Sequence, residues 1–243
     1  MGQLAGKTAI ITGASTGIGK GIAQAFVKDG ANLVVVARNK PRLEATAEEL
    51  RSQGSTVIAI AADITDEAQV VAMFEQTVQE FGQLDILVNN AGAFDGGPIE
   101  ALSLETWQKV IDVNLTGSFL CSREAMIIMK HQGQGRIINI GSISAQMPRM
   151  NSVPYTASKF GLVGLTRATA LEGREYGVVV SCLHPGNVAT EFRHSLEESA
   201  NQEPMMTVDE LATTVVTMAA LPAHVNMLEA IVLPTVQPYL GRG

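Results

Sequence analysis

The sequence predicts an α/β fold: a doubly wound parallel sheet of about seven strands with helices on both faces, in a single domain over residues 1–243. Three observations carry this. Apolar runs rich in Val and Ile recur from one end of the chain to the other. They are continuous rather than alternating, as strands covered on both faces require. Segments of helical period separate them, which implies right-handed crossovers between parallel neighbours.

Composition sets the outer bounds. The chain is 46% hydrophobic and 17% charged, which suits one well-cored domain. A net charge of −7 and a pI near 5.1 argue against a nucleic-acid or anionic-membrane surface. Cys121 and Cys182 have neither metal-site nor disulfide spacing, so both are expected as buried free thiols. No apolar run reaches the roughly 18 residues of a membrane span, and the N-terminus has no signal-peptide core. The expectation is a cytoplasmic protein without a metal site.

The first strand, Thr8–Thr12, leads into Gly13-Ala14-Ser15-Thr16-Gly17-Ile18-Gly19 and a helix with Ile18, Ile22 and Phe26 on one face. Glycines let the chain turn tightly and let a pyrophosphate approach the helix N-terminus, whose amides and dipole favour anions. The Gly-x-x-x-Gly-x-Gly spacing differs from the usual Gly-x-Gly-x-x-Gly. Its place between first strand and first helix still predicts a dinucleotide site.

The second strand, Asn32–Ala37, ends in Arg38 with no acid at its tip. An acid there binds a ribose 2′-hydroxyl, whereas an Arg accommodates a 2′-phosphate. Arg38 therefore favours NADP(H) over NAD(H). A helix opens at Pro41, carries Leu43, Ala47 and Leu50, and stops at Gly54. The third strand, residues 56–61, leads to Asp63, placed to accept a hydrogen bond from an adenine amino group. A helix capped by Thr65 or Asp66 follows, with Val70, Met73, Phe74, Val78 and Phe81 in register and Gly82 as its stop. The fourth strand, Ile86–Asn89, ends in Asn90-Ala91-Gly92, small enough to lie against a ribose.

The fifth strand, residues 136–140, delivers Ser142 to the carboxyl edge of the sheet, beside a helix carrying Tyr155 and Lys159. Four residues apart, Tyr155 and Lys159 share a helix face. A phenol is a weak acid, with a reference pKa of about 10, and a nearby ammonium favours its charged form. With Ser142 the pair could hold a carbonyl oxygen by two hydroxyls and hand it a proton. Strands at residues 178–183 and 229–233 complete the sheet, and Thr207-Val208-Asp209-Glu210 opens the last helix with a capping box. Substrate recognition falls on residues 94–98, 144–153 and a short lid at about 191–206. Ser144 is a second hydroxyl there, and Phe94, Met147, Met150 and Phe192 suit either an adaptable apolar wall or core.

Taken together, the glycine loop, Asn89-Asn90-Ala91-Gly92, Asn114, Ser142, Tyr155-x-x-x-Lys159 and Pro185-Gly186-Asn187-Val188-Ala189-Thr190 resemble the short-chain dehydrogenase/reductase family over nearly the whole chain. Within it the resemblance is to 3-oxoacyl-carrier-protein reductases and carbonyl reductases. It implies a Rossmann-type fold and hydride transfer between NADP(H) and a small carbonyl or secondary alcohol. By this resemblance Tyr155 is general acid in reduction and base in oxidation, and Lys159 supports the phenolate and holds the nicotinamide ribose. Ser142 binds the substrate oxygen, and Asn114, on a helix, anchors a water leading from Lys159 to solvent. Gly13, Ser15, Ile18 and Arg38 contact the phosphates and adenosine ribose, with Thr16, Gly17 and Gly19 completing the loop. Asp63 and Ile64 fall on adenine, Asn90, Ala91 and Gly92 on the ribose, and Pro185, Gly186, Val188 and Thr190 on the nicotinamide.

The resemblance further implies a homodimer or homotetramer assembled through residues 107–129 and 153–176. The C-terminal tail departs from the Gly-rich ending of many members and looks closer to broad-range 3-hydroxy-acid and serine-type dehydrogenases. Two competing readings are an NAD-linked alcohol dehydrogenase and a non-catalytic nucleotide-binding scaffold. The second has no use for Asn114, Ser142, Tyr155 and Lys159 together.

Overall fold

The Val- and Ile-rich runs pair into one sheet, because β-branched side chains fit a pleated surface buried on both faces. The computed structural model describes residues 2–191 and 204–238. Its strands are β1 (Thr8–Thr12), β2 (Asn32–Ala37), β3 (Val57–Ala61), β4 (Ile86–Asn89), β5 (Gly135–Ile140), β6 (Val178–Pro185) and β7 (Glu229–Val232). All are parallel, in the spatial order β3-β2-β1-β4-β5-β6-β7. Every residue of β1 and β4 is buried. The two edge strands, β3 and β7, are largely half-buried, so the expectation of two-sided cover holds for the interior of the sheet.

Seven helices flank it among the described residues: α1 (Gly17–Lys28), α2 (Lys40–Arg51), α3 (Glu67–Phe81), α4 (Leu104–Ile111), α5 (Gly117–Gln132), α6 (Val153–Gly173) and α7 (Val208–Ala220). Their ends follow local chemistry. Asn39 and Asp66 accept from the main-chain N–H of Arg42 and Gln69, and Thr207 with Glu210 forms the expected reciprocal box. Asp66, not Thr65, is the cap of α3, because the Thr65 hydroxyl is spent on Asp63.

Strand neighbours send alternate residues to opposite faces. Ile11, Val35, Val88 and Ile138 pack with Ile22 and Phe26 of α1 and Leu211 and Val215 of α7. On the other face Ile10, Val34, Leu87 and Ile137 pack with Met73 and Phe74 of α3 and Leu120 and Met129 of α5. Phe26 and Phe74 are 0% and 2% exposed, positions where truncation to Ala costs about 3–5 kcal/mol. The chain returns to the middle of the sheet at β4, so strand order reverses between β1 and β4. Ligands of doubly wound sheets bind at the carboxyl ends of the strands beside such a reversal. The tips of β1, β4, β5 and β6 are therefore where chemistry is built.

Candidate active site

The glycine loop leaves β1 with Gly13 at φ +66° and Gly17 at φ +52°, the left-handed region that side chains resist. A Cβ on Gly13 would stand 2.8 Å from the Ala91 Cα, and one on Gly19 would stand 2.3 Å from the Gly13 carbonyl oxygen. Thr16 precedes α1 with extended backbone and makes no side-chain cap, and the first turn holds no acid. The loop thus leaves the opening amides of α1 uncapped by Thr16, which fits a pyrophosphate. Thr190 comes to the same place from β6: its methyl would lie 3.4 Å from a Cβ on Gly17.

Thr12 and Asn90 lock the two tips at the reversal. The Thr12 hydroxyl accepts from the main-chain N–H of Asn90 and Ala91, each at 3.0 Å. The Asn90 amide donates to the carbonyls of Thr12 and Gly13 at 2.9 and 3.2 Å. Its two donor hydrogens are spent on Thr12 and Gly13, so the side chain shapes the glycine loop. Thr12 was missed in the sequence because a Thr in a β-branched run reads as strand.

At the adenosine end the Arg38 side chain is 73% exposed, with Nη1 3.9 Å from Asp63 Oδ2. Asp63 Oδ1 accepts from the Thr65 N–H and hydroxyl at 3.0 and 2.8 Å, so half of this carboxylate is committed locally. Ile64 buries its side chain in the core beside Gly117. Arg42, not singled out in the sequence, pairs with Glu191 nearby.

At the tip of β5, Ser142 Oγ accepts from the Ser144 N–H at 3.1 Å, leaving its own proton for an incoming oxygen. Ser144 is itself 4% exposed. One turn apart on α6, Tyr155 and Lys159 stand together, with Nζ 5.6 Å from the phenol ring centroid. Lys159 is 5% exposed and donates to the Ile140 carbonyl at 2.8 Å, so the ammonium is fixed beneath the strand tip. Phe94 sets its ring edge-on to Tyr155, with centroids 5.0 Å apart. Met147 is half-buried, whereas Met150 is 91% exposed and so not core. Phe192 lies outside the described residues, as does most of the expected lid.

Asn114, expected on a regular helix, has a local backbone that differs from that. It is 1% exposed and sits in a π-turn, Asp112–Thr116, between α4 and α5, a distortion frequent at functional sites. Its Oδ1 accepts from the Ala93 N–H at 2.7 Å, and its Nδ2 donates to the Ala93 carbonyl and the Ser158 hydroxyl, each at 3.0 Å. Ser158 in turn donates to the Tyr155 carbonyl at 2.7 Å. A side-chain chain therefore runs from the segment following β4 to the base of Tyr155.

β6 ends at Pro185, and Gly186 leads the chain into the Val188–Met206 bridge, with Val188 4% exposed. His184, unflagged in the sequence, lies wholly buried with Nδ1 3.0 Å from the Ser142 carbonyl. Burial pushes the Cys121 and Cys182 thiols up to about 12 and about 11, so both stay protonated and inert near neutral pH. Among the described residues no group of three His, Cys, Asp or Glu could hold a metal ion, and no helix is long and apolar enough to cross a membrane.

Comparison with known proteins agrees with this geometry. The model of the short chain dehydrogenase family matches residues 7–201. Glucose 1-dehydrogenase 2 of Bacillus subtilis is 41% identical over 210 residues, covering 84% of this chain and 80% of the relative. The 3-oxoacyl-[acyl-carrier-protein] reductase of Synechocystis is 37% identical over 213 residues, covering 87% and 85%. A crystal structure of a single-substitution variant of actinorhodin polyketide ketoreductase with NADPH superposes with a TM-score of 0.88 at 31% identity, covering 96% of this chain and 98% of that one. With the family model matching residues 7–201 and relatives at 37–41% identity covering more than four fifths of its length, the chain belongs to the short-chain dehydrogenase family.

Proposed function

We propose that this chain reduces a small carbonyl compound to a secondary alcohol with NADPH, Tyr155 giving the proton. The observation that carries the reading is Lys159, a buried ammonium fixed to the Ile140 carbonyl and one turn from Tyr155. Gly13, Ser15, Thr16 and the opening turn of α1 would hold the pyrophosphate, and Arg38 the 2′-phosphate. Val188 and Thr190 would hold the nicotinamide. The bound dinucleotide supplies the hydride.

The chain's own residues do the rest. The hydroxyls of Ser142 and Tyr155 hold the substrate oxygen, and Tyr155 passes its proton to that oxygen as negative charge develops there. Lys159 stabilises the phenolate left behind. Asn114 fixes Ala93 and, through Ser158, the turn bearing Tyr155, so that proton donor and substrate pocket keep one geometry. Phe94, Ser144 and Met147 form the wall against the substrate.

The relatives support the cofactor: one is solved with NADPH, and Arg38 stands at the tip of β2 with no acid at that tip. Fluorescence titration of the purified protein with NADPH and NADH tests it. NADPH should bind at least tenfold more tightly; equal binding would return the NAD-linked reading, and binding of neither would return the scaffold.

Self-association is part of the same reading. Phe119 and Ile127 on α5 and Phe160 and Leu171 on α6 are 45%, 60%, 48% and 62% exposed, apolar faces that a second copy would cover. Light scattering should give a dimer or tetramer; a monomer at micromolar concentration would dismiss it.

A further inference from the structure

The tail that differs from many relatives folds back over the loop after β6. The Gly186 N–H donates to the Val232 carbonyl at 2.8 Å, and the Asn187 N–H donates to Gln237 Oε1 at 2.8 Å. Gln237 is 8% exposed and Asn187 1%. The fit admits nothing more: a Cβ on Gly186 would lie 2.2 Å from Gln237 Oε1 and 2.8 Å from the Leu233 Cδ2. On its other sides the loop is equally tied. Arg149 Nη2, from the expected substrate loop, donates to Asn187 Oδ1 at 3.2 Å. The Met206 N–H donates to the Asn187 carbonyl at 2.9 Å, and the Ala189 N–H donates to the Met206 carbonyl at 2.8 Å.

We infer that Gln237 is a positioning residue for the nicotinamide end of the cofactor site, so that the C-terminal tail completes that site from within the same chain. The inference rests on the cofactor reading above. Asn187 directly precedes Val188 and lies three residues before Thr190, the two groups assigned to the nicotinamide amide. The Gln237 oxygen is the partner of the Asn187 N–H, so it fixes the peptide from which those groups project. Without it a buried N–H is orphaned, and the loop is free to relax away from the ligand. Among the described residues, these hydrogen bonds of the tail go to the loop after β6 and not to the assigned adenosine half at β1 and β2.

The test is binding of two ligands, NADPH and adenosine 2′,5′-bisphosphate, which has the adenosine half and no nicotinamide. Gln237→Leu keeps the volume and removes the acceptor; it should weaken NADPH about tenfold and leave the bisphosphate unchanged. Gln237→Glu keeps an oxygen for the Asn187 N–H and should bind NADPH within about twofold of wild type. If the leucine variant does not fold, Gln237→Ala carries the same expectation, with bisphosphate binding as the check of its fold. Unaltered NADPH affinity in the variant, or equal weakening of both ligands, overturns the inference. Wild-type protein that binds neither ligand overturns instead the cofactor reading on which it stands.

Discussion

The imidazole of His184 donates from Nδ1 to the carbonyl oxygen of Ser142 across 3.0 Å. A carbonyl only accepts, so the ring proton sits on Nδ1, and Nε2 is a bare lone pair. That nitrogen is fully buried, has no hydrogen-bond partner among the described residues and lies 3.9 Å from Glu229 Oε2. Burial holds the imidazole below its ordinary 6.5; Lys159 and Arg167 act with burial, while the Ser142 carbonyl and Glu229 oppose it. The folded protein therefore keeps His184 neutral where the unfolded chain takes up a proton. Stability from this group is fully present above about pH 6.5 and is lost as pH falls from there toward the folded value, by at most about 1.4 kcal/mol per pH unit. Urea unfolding of wild type and His184→Gln across pH 5–8 should show the wild-type advantage shrinking below about pH 6.5. A constant difference would contradict it.

Asn114 serves both main-chain groups of Ala93 and the Ser158 hydroxyl. Asn114→Ala leaves both half-buried main-chain groups of Ala93 without this partner, at about 1–3 kcal/mol for each unsatisfied group, and takes one donor from Ser158, which keeps its bond to the Tyr155 carbonyl. Melting temperature and kcat should both fall, kcat at least tenfold. Asn114→Asp keeps the acceptor for the Ala93 N–H but sets an oxygen against the Ala93 carbonyl, so it should rescue neither. Wild-type turnover in the aspartate variant would contradict the positioning role.

Gly19→Ala would place a methyl 2.3 Å from the Gly13 carbonyl oxygen and 2.4 Å from Asn90 Nδ2. Relieving that overlap moves the glycine loop off the opening amides of α1. NADPH affinity, read by fluorescence titration, should fall more than tenfold; an unchanged affinity would mean that the loop is not the pyrophosphate site.

Arg38 is exposed and pairs loosely with Asp63, so its removal should leave stability within about 0.5 kcal/mol. Arg38→Ala should weaken NADPH about tenfold, the scale of one hydrogen bond to a charged group, and leave NADH unchanged. Parallel titrations decide it, since equal loss for both dinucleotides would remove Arg38 as the selector.

The sheet was legible because hydrophobic runs report burial directly, and the strands of the structure begin and end within two residues of those read from the sequence. Ser142, Tyr155 and Lys159 were legible because strand-end and helix spacing fix their neighbours. Asn114 was named through the family motif, but its π-turn was not legible: such a turn has no signature in residue period, so the burial of Asn114 and its hold on Ala93 came only with the fold. His184 and Gln237 were hidden for another reason. Each acts across a long sequence separation, 42 residues to Ser142 and 50 to Asn187, and a polar residue in an apolar strand or a tail reads locally as nothing more than that. Asn90 was read toward a ligand, and the structure adds that its amide donors join the loop after β1 to the tip of β4.

Proton donation by Tyr155 is the centre of this account, and Tyr155→Phe tests it most directly. The measurement is NADPH oxidation against a panel of small ketones, 3-oxo acids and 3-oxoacyl thioesters, with NADPH affinity recorded in the same preparation. Loss of the donor should lower kcat at least a hundredfold, the range of general acid catalysis, while NADPH binds as in wild type. A phenylalanine variant that still turns over near the wild-type rate would contradict the assignment of Tyr155.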